Sequence, residues 1–394
     1  MKRIIFTLTV VFIAAAMMAP GAVSAKDEIV IGVAAAQTGM LIPWDLPNTR
    51  MLQFYAEDVN KAGGIMGRQV KVLIADMKSD PKLGPTAALE VIQQGAMFLM
   101  CTCDYDFGSP AAFVADKRKM VVFSPCAAST KFGVQGVGPY AFTLSHGTPT
   151  EGAAIAEFGF KKGWKNVYIL LDTSVDYDKK IVLYFSWRWQ GLGGKILGTD
   201  TFVQGDPSIA SQITRLKAVT PKPDVILLAS WAQGLGSALR QIRAAGIQTP
   251  VLGDEAADGV FWIPAVPDLS NFYYVTYGSL FGDDPNTQWN ELVLRYEKKY
   301  GEKPGLSNSI TGYSVGQALA KAIEMSGGKT DGDSIKKALE SFKDVPLLVG
   351  PTTFTEKVHM SLGRPLAVLE IQNGKHKFLG MVKAEKIPPV EEFK

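Results

Sequence analysis

The chain is poor in the residues that build metal centres and disulfide frameworks, with three cysteines and three histidines in 394 residues. Three thiols cannot make a disulfide scaffold, and no Cys or His pair stands at zinc-finger or HExxH spacing. A charge excess of either sign is also missing. Forty-one Lys plus Arg against 38 Asp plus Glu leave +3, which excludes the basic footprint that nucleic acid or an anionic membrane demands. No G-x-G-x-x-G occurs, so dinucleotide binding has no support and no cofactor is expected. Low-complexity linkers are absent, and only one long apolar run is present.

That run lies at the N-terminus. Lys2 and Arg3 precede an apolar stretch from Ile4 to Met18, then Pro20, Gly21 and the small residues Ala22-Val23-Ser24-Ala25. The stretch is shorter than the roughly 20 residues of a spanning helix, and Val23-x-Ala25 offers small residues for cleavage, so residues 1–25 read as a secretory signal peptide. Lys26 follows the expected cut, so no Cys stands ready for lipidation. The expected location is a bacterial periplasm, an oxidising compartment.

At about 100–200 residues per domain the length suggests two domains. From Glu28 short β-branched runs alternate with amphipathic windows, the pattern of a parallel sheet covered by helices. Ile29–Val33, Val70–Ile74, Met97–Met100 and Met120–Phe123 read as strands, separated by helices over Arg50–Lys61, Pro85–Gln94 and Ser109–Arg118. A second series follows Ala141–Leu144: helices Pro149–Lys162, Lys179–Gln190, Ile209–Val219 and Leu235–Ala245 between strands Val167–Leu171, Ile196–Phe202 and Val225–Leu228. Strand Phe272–Tyr277 precedes helical windows at Thr287–Tyr300, Ser307–Met325 and Gly332–Phe342. The tail reads as antiparallel strands, Thr352–Thr355, Leu366–Ile371 and His376–Val382, with Asn373-Gly374 as a hairpin turn. Two βαβ blocks therefore stand in tandem, and the chain is expected to cross between them more than once.

Two catalytic motifs fail on context. Gly312-Tyr313-Ser314-Val315-Gly316 matches the G-x-S-x-G nucleophile elbow, with His359 and His376 downstream. An elbow needs a strand before it, whereas Lys303 to Asn308 is a loop leading into a helix, so the glycines are expected to permit close helix packing. Gly327-Gly328-Lys329-Thr330 resembles the end of a phosphate-binding loop, but Ile323 stands where the first glycine is required, and the double glycine reads as a helix stop.

Ile31-Gly32-Val33 through Thr38-Gly39, then Ala56-Glu57-Asp58-Val59-Asn60-Lys61-Ala62-Gly63-Gly64-Ile65-Met66-Gly67-Arg68 and Asp80-Pro81, resemble the branched-chain amino acid class of periplasmic solute-binding proteins. Ser124-Pro125-Cys126-Ala127-Ala128-Ser129, Asp172 to Tyr177, Leu239 to Gly246 and Gly253-Asp254-Glu255 follow in that family's order. The resemblance implies the type I periplasmic binding fold: two Rossmann-like α/β lobes with mainly parallel sheets and flanking helices, joined by a three-crossover hinge. Lobe I is expected to hold residues 26–146 and 278–350, lobe II residues 147–277 and 351–394. It further implies a non-enzymatic receptor that captures an amino acid by lobe closure and delivers it to an ABC permease, for which a monomer suffices. A periplasmic ligand sensor is the reading from another class.

Ligands of open parallel sheets bind beyond the carboxyl ends of the strands, where loops lead into helix N-termini. Those ends carry Asp104, Tyr105, Asp106 and Phe107 with Ala127, Ala128 and Ser129 on one side, and Tyr177, Trp231 and Glu255 on the other. A ligand carboxylate is expected at the helix start near Ser109 or Ser129. The resemblance places the ligand amine on Glu255 and packs Trp44 on its side chain. Departures from the family concentrate here. Its Ser/Thr-rich stretch is replaced by Cys103-Asp104-Tyr105-Asp106-Phe107 and its threonine by Ala128. Asp106 reads as an N-cap for the helix at Ser109; alternatively, Trp44, Tyr105, Tyr177 and Trp231 together with Asp104, Asp176 and Glu255 make an aromatic, acidic box for a cationic ligand. Ser79 occupies the position whose cysteine pairs with Cys103 in the family, leaving Cys126, at the end of the neighbouring strand, as a substitute partner.

Overall fold

A computed structural model of the chain describes residues 28–390. The signal-peptide reading of residues 1–25 lies outside these residues. Among the described residues no helix is long and apolar enough to cross a membrane.

The first sheet is parallel throughout. Strands β1 (Ile29–Ala35), β2 (Val70–Asp76), β3 (Phe98–Cys101), β4 (Val122–Ser124) and β5 (Ala141–Thr143) stand in the order β2-β1-β3-β4-β5. Helices α1 (Ile42–Lys61), α2 (Gly84–Gln93) and α3 (Tyr105–Asp116) connect them. Every residue of β1 is buried, which is why this strand reads as an unbroken apolar run: helices cover both of its faces.

Two helix starts differ from the sequence reading. Helix α1 begins at Ile42, eight residues before Arg50, because Pro43 sits in the first turn, where its missing N–H has no partner to lose. Trp44 therefore lies in the first turn of α1. Helix α3 begins at Tyr105 and not at Ser109: the Asp104 side chain caps it by accepting the Phe107 N–H at 3.0 Å.

The second sheet contains seven strands in the order β14-β13-β10-β9-β8-β6-β7. Strands β6 (Asn166–Asp172), β7 (Lys195–Phe202), β8 (Val225–Ala229), β9 (Val251–Gly253) and β10 (Phe272–Thr276) are mutually parallel, and the hairpin β13 (Leu366–Gln372) and β14 (Lys375–Val382) adds two antiparallel strands. Helices α4 (Gly147–Lys161), α5 (Asp176–Gly191), α6 (Ala210–Ala218) and α7 (Ala232–Ala244) flank it. The architecture is α/β with mainly parallel sheets.

Between β10 and β13 the chain supplies α8 (Thr287–Tyr300), α9 (Ile310–Met325), α10 (Gly332–Glu340) and the small antiparallel pair β11 (Val345–Leu347) and β12 (Gly350–Thr352). The strand expected over Thr352–Thr355 is thus shorter and earlier, because it pairs with β11. Phe354 then packs against Phe123, Phe142 and Phe342 beside the first sheet. Helix α9 packs on α1 through Gly312 and Gly316, where a Cβ would overlap the Asn48 carbonyl oxygen and the Tyr55 ring respectively. Ser314, the would-be nucleophile, is buried within α9, donating to the Ile310 carbonyl and accepting the Val349 N–H, each at 3.0 Å.

The chain passes from the first sheet to the second after β5, and from β10 it runs through α8–α10, β11 and β12 before returning to β13; Arg364 ties the first of these passages to the last. Its guanidinium donates to the Leu144 carbonyl at 2.5 Å and to Pro351 O and Thr352 Oγ1 at 3.0 Å. Thr143 N–H donates to His359 O at 3.0 Å beside it.

Candidate functional site

The carboxyl ends of both sheets face a common cleft. Its walls include Leu41, Trp44 and Asp45 from α1 and the residues before it, Thr102, Cys103, Asp104 and Phe107 after β3, and Cys126 and Ala128 after β4. The second sheet contributes Val175 and Tyr177 after β6, Trp231 after β8, and Glu255 and Ala256 after β9. About 530 Å³ between these walls is free of atoms, partly open to solvent.

Aromatic rings close the cleft from both sides. Trp44 meets Trp231 edge-to-face with centroids 5.9 Å apart, Phe261 at 5.2 Å, and Phe107 meets Trp231 at 6.1 Å. Such T-shaped pairs bring the positive ring edge onto a negative face.

Of the residues singled out in the sequence, Trp44, Asp104, Phe107, Ala128, Tyr177, Trp231 and Glu255 come together here. Tyr105, Asp106, Ala127 and Ser129 do not line the cleft. Tyr105 lies under the Lys131 ammonium, 5.7 Å from its ring centroid. Ala127 is fully buried, its N–H donated to Ser124 Oγ at 2.9 Å. Asp106 and Ser129 act between the two halves: Asp106 accepts the Asp176 N–H at 2.7 Å, and Ser129 Oγ and Lys131 Nζ each reach the Asp176 carboxylate at 2.5 Å. Asp106 therefore caps α5 from across the cleft, not the helix expected at Ser109.

Cys103 and Cys126 are joined as a disulfide with Cα atoms 4.7 Å apart, within the span that such a bond bridges. Ser79, in place of the family's cysteine, instead hydrogen-bonds the Thr38 carbonyl and the Leu41 N–H. Cys101 is a buried free thiol.

The carboxylates of the site fall into two groups. Asp45 is structural: its two oxygens accept the Ala36 and Cys103 N–H groups at 2.8 and 2.9 Å, yet burial raises its pKa to about 6. Burial and the neighbouring Asp106 raise Asp104 to about 7. Glu255, buried and raised well above the ordinary carboxyl range by desolvation and by Glu151, accepts from Asn308 Nδ2 at 2.9 Å.

Glu151 went unnoticed in the sequence because it lies in a small-residue helix away from any strand end. It accepts the Tyr177 hydroxyl and the Glu255 N–H, each at 2.6 Å, and meets His146 Nε2 at 3.1 Å. Asp178 carries no sequence signal of a site either, whereas Asp254 stands beside Glu255 at a strand end. Both are fully buried, and desolvation pushes both well above the ordinary range, helped at Asp178 by Asp172, Asp104 and Glu151 and at Asp254 by Asp178, Glu151 and Glu255. For Glu151 and Asp178 the sequence offers only an acid flanked by residues of a buried face. Among the described residues no cluster of His, Cys, Asp and Glu is arranged to hold a metal ion.

The chain matches the periplasmic binding protein family over residues 28–376. It is 23% identical to a Leu/Ile/Val-binding protein, BraC3, of Rhizobium johnstonii over 89% of this chain and 93% of the relative. It is 24% identical to the leucine-, isoleucine-, valine-, threonine- and alanine-binding protein of Pseudomonas aeruginosa over 80% and 83%. The structure of the branched-chain amino acid transporter substrate-binding protein LivJ of Streptococcus pneumoniae, in complex with isoleucine, superposes with a TM-score of 0.79 at 24% identity, covering 90% of this chain and 99% of that one. A solute-binding protein of an ABC transporter from R. palustris, in complex with benzoate, gives 0.74 at 19% identity over 91% and 98%. With the match running through both sheets and across the cleft between them, the chain belongs to the periplasmic binding protein family, whose members bind solutes.

Proposed function

We propose that this chain is the periplasmic receptor of an ABC importer, capturing a small amine-bearing solute, an amino acid or a relative of one, and presenting it to the permease subunits. The observation that carries this reading is Glu255: a buried carboxylate on the cleft wall, steadied by Asn308 and facing a cage of Trp44, Tyr177 and Trp231. An ammonium would meet a carboxylate and ring faces together, and a desolvated ion pair of this kind is stronger than one in water. Names of the relatives, which bind leucine, isoleucine and valine, support the solute class. No step of catalysis is required.

Capture follows from lobe closure. Lobe I comprises residues 26–146 and 278–350, lobe II residues 147–277 and 351–394, and three crossovers form the hinge. A ligand that touches both walls favours the closed arrangement by its differential contacts, since the open one cannot make them. The apposition of Asp106 with Asp176 and of Trp44 with Trp231 supports this reading.

Isothermal titration of the Glu255→Gln variant tests the assignment. Amine-bearing ligands are expected to bind about tenfold or more weakly with folding intact; an unchanged affinity refutes the amine role.

A further inference from the structure

The cleft has acids on its walls and no lysine or arginine among its lining residues. An amino acid brings a carboxylate as well as an ammonium, and the carboxylate needs donors. The donors that the family resemblance would supply are engaged elsewhere. Ser129 Oγ is given to Asp176, and the Ala127 N–H to Ser124. Two of the helix N-termini that approach the cleft are already capped by this chain's own carboxylates, α3 by Asp104 and α5 by Asp106. An anion there would displace or face an Asp. Lys131, the cation near this edge, is held by Asp176.

Groups poised for a cation, by contrast, are in excess. Both carboxylate oxygens of Asp178 are buried without a hydrogen-bond partner, as is Oδ2 of Asp254. Asp178 acts electrostatically on Asp254 and is acted on by Asp104, which lines the cleft; the exposed Lys179 next along α5 offsets it in part. Unpartnered buried carboxylates are costly unless a proton or a cation answers them. The aromatic walls suit the same charge, because aromatic rings attract an ammonium and Trp44, Phe107, Tyr177 and Trp231 all line the cleft.

We infer that the solute of this cleft is a cationic amine without a carboxylate, such as an alkyl amine or diamine with an apolar body, bound between Glu255, Asp104 and the four aromatic rings. The inference rests on the receptor reading above and narrows its ligand class. The apolar body packs on Trp44 and Phe107.

Isothermal titration of the chain from Lys26 with matched probes tests it: leucine, isoamylamine, which is leucine without its carboxylate, cadaverine as a diamine, and isovalerate as the acid without the amine. The expected result is that isoamylamine or cadaverine binds at least about tenfold more tightly than leucine, and that Asp104→Asn weakens the amines while leaving thermal unfolding cooperative. Tighter binding of leucine than of either amine overturns the inference and leaves the amine-bearing receptor reading standing. Binding of isovalerate with no binding of leucine or the amines overturns both. Absence of binding by both amines up to about 10 mM likewise overturns the inference.

Discussion

Asp106 accepts the backbone N–H of Asp176 at 2.7 Å, so a carboxylate from one side of the cleft caps a helix on the other. Ser129 and Lys131 reinforce the contact by binding the Asp176 side chain. A cap made only when the two halves meet ties helix energetics to closure. Asp106→Ala is therefore expected to lower isoamylamine affinity by about 3- to 30-fold, the equivalent of a lost cap of about 0.5–2 kcal/mol, with the thermal midpoint of the ligand-free protein nearly unchanged. Titration calorimetry beside a melting curve checks this; an unaltered affinity would separate the contact from closure.

The Cys103–Cys126 bridge joins the ends of β3 and β4 across a sequence separation of 23 residues. A loop of that length restricts the unfolded chain by about 3 kcal/mol. Cys103→Ala with Cys126→Ala is expected to lower unfolding free energy by about that amount in urea titrations. Thiol labelling of the unfolded, unreduced protein should modify Cys101 alone. Three labelled thiols would show the bridge to be absent.

Buried acids give the ligand-free protein a distinctive response to pH. A carboxyl whose folded pKa lies above its unfolded value stabilises the fold fully below the unfolded pKa and loses that contribution as pH rises through the folded one. Asp45, at about 6, and Asp104, at about 7 against an ordinary 3.8, both behave this way. His359 and His376, held below 6.5 by burial, act in the opposite direction on the acid side. The clean window thus lies between about pH 6.5 and 8, where the melting midpoint is expected to fall as pH rises. Over the same range amine affinity is expected to rise as Asp104 ionises. Asp104 is faced by Asp106 and Asp178, both acids, and by backbone N–H groups of its own helix, of which Phe107 is the capped one. Glu255, Asp178 and Asp254, raised well above the ordinary range, act in the same direction; melting curves of Asp104→Asn check the Asp104 share, since they should show a shallower slope than the parent.

Close packing of α9 on α1 makes a distinction between neighbouring residues. Gly312→Ala would drive a methyl into the Asn48 backbone, which has nowhere to go, whereas Ser314→Ala removes a hydroxyl that bonds Ile310 and Val349. The former is expected to cost about 3 kcal/mol or more and the latter about 1 kcal/mol. Denaturant unfolding measures both, and equal costs would argue against close helix contact as the reason for the glycine.

How far the sequence carried the account can be seen at individual residues. Strand ends followed by loops and helices placed Trp231, Tyr177 and Glu255 correctly on the cleft walls, because the carboxyl-end rule needs only the order of elements. Trp44 also reached the wall, although its two flanking prolines read as a loop: Pro43 fits a first helical turn as well as a turn between elements, and local pattern does not separate the two. The helix expected at Ser109 starts four residues earlier because Asp104, not Asp106, supplies the cap. One shift of register then sent Asp106 across the cleft to Asp176. Glu151 and Asp178 were out of reach, since they meet Tyr177 and Asp254 only through the packing of α4 and α5 against the second sheet. The disulfide was legible once Ser79 removed the family's pairing and left Cys126 at an adjacent strand end.

The measurement that bears most directly on the account is a thermal-shift screen of the chain from Lys26 with amine-bearing solutes and their amine-free counterparts: isoamylamine, cadaverine and leucine against isovalerate and benzoate. A ligand at 100 times its dissociation constant stabilises by about 2.7 kcal/mol, well within reach of a melting curve. The account predicts that amine-bearing solutes alone raise the midpoint and that Glu255→Gln abolishes the rise. Stabilisation by benzoate or isovalerate, undiminished in Glu255→Gln, would contradict it.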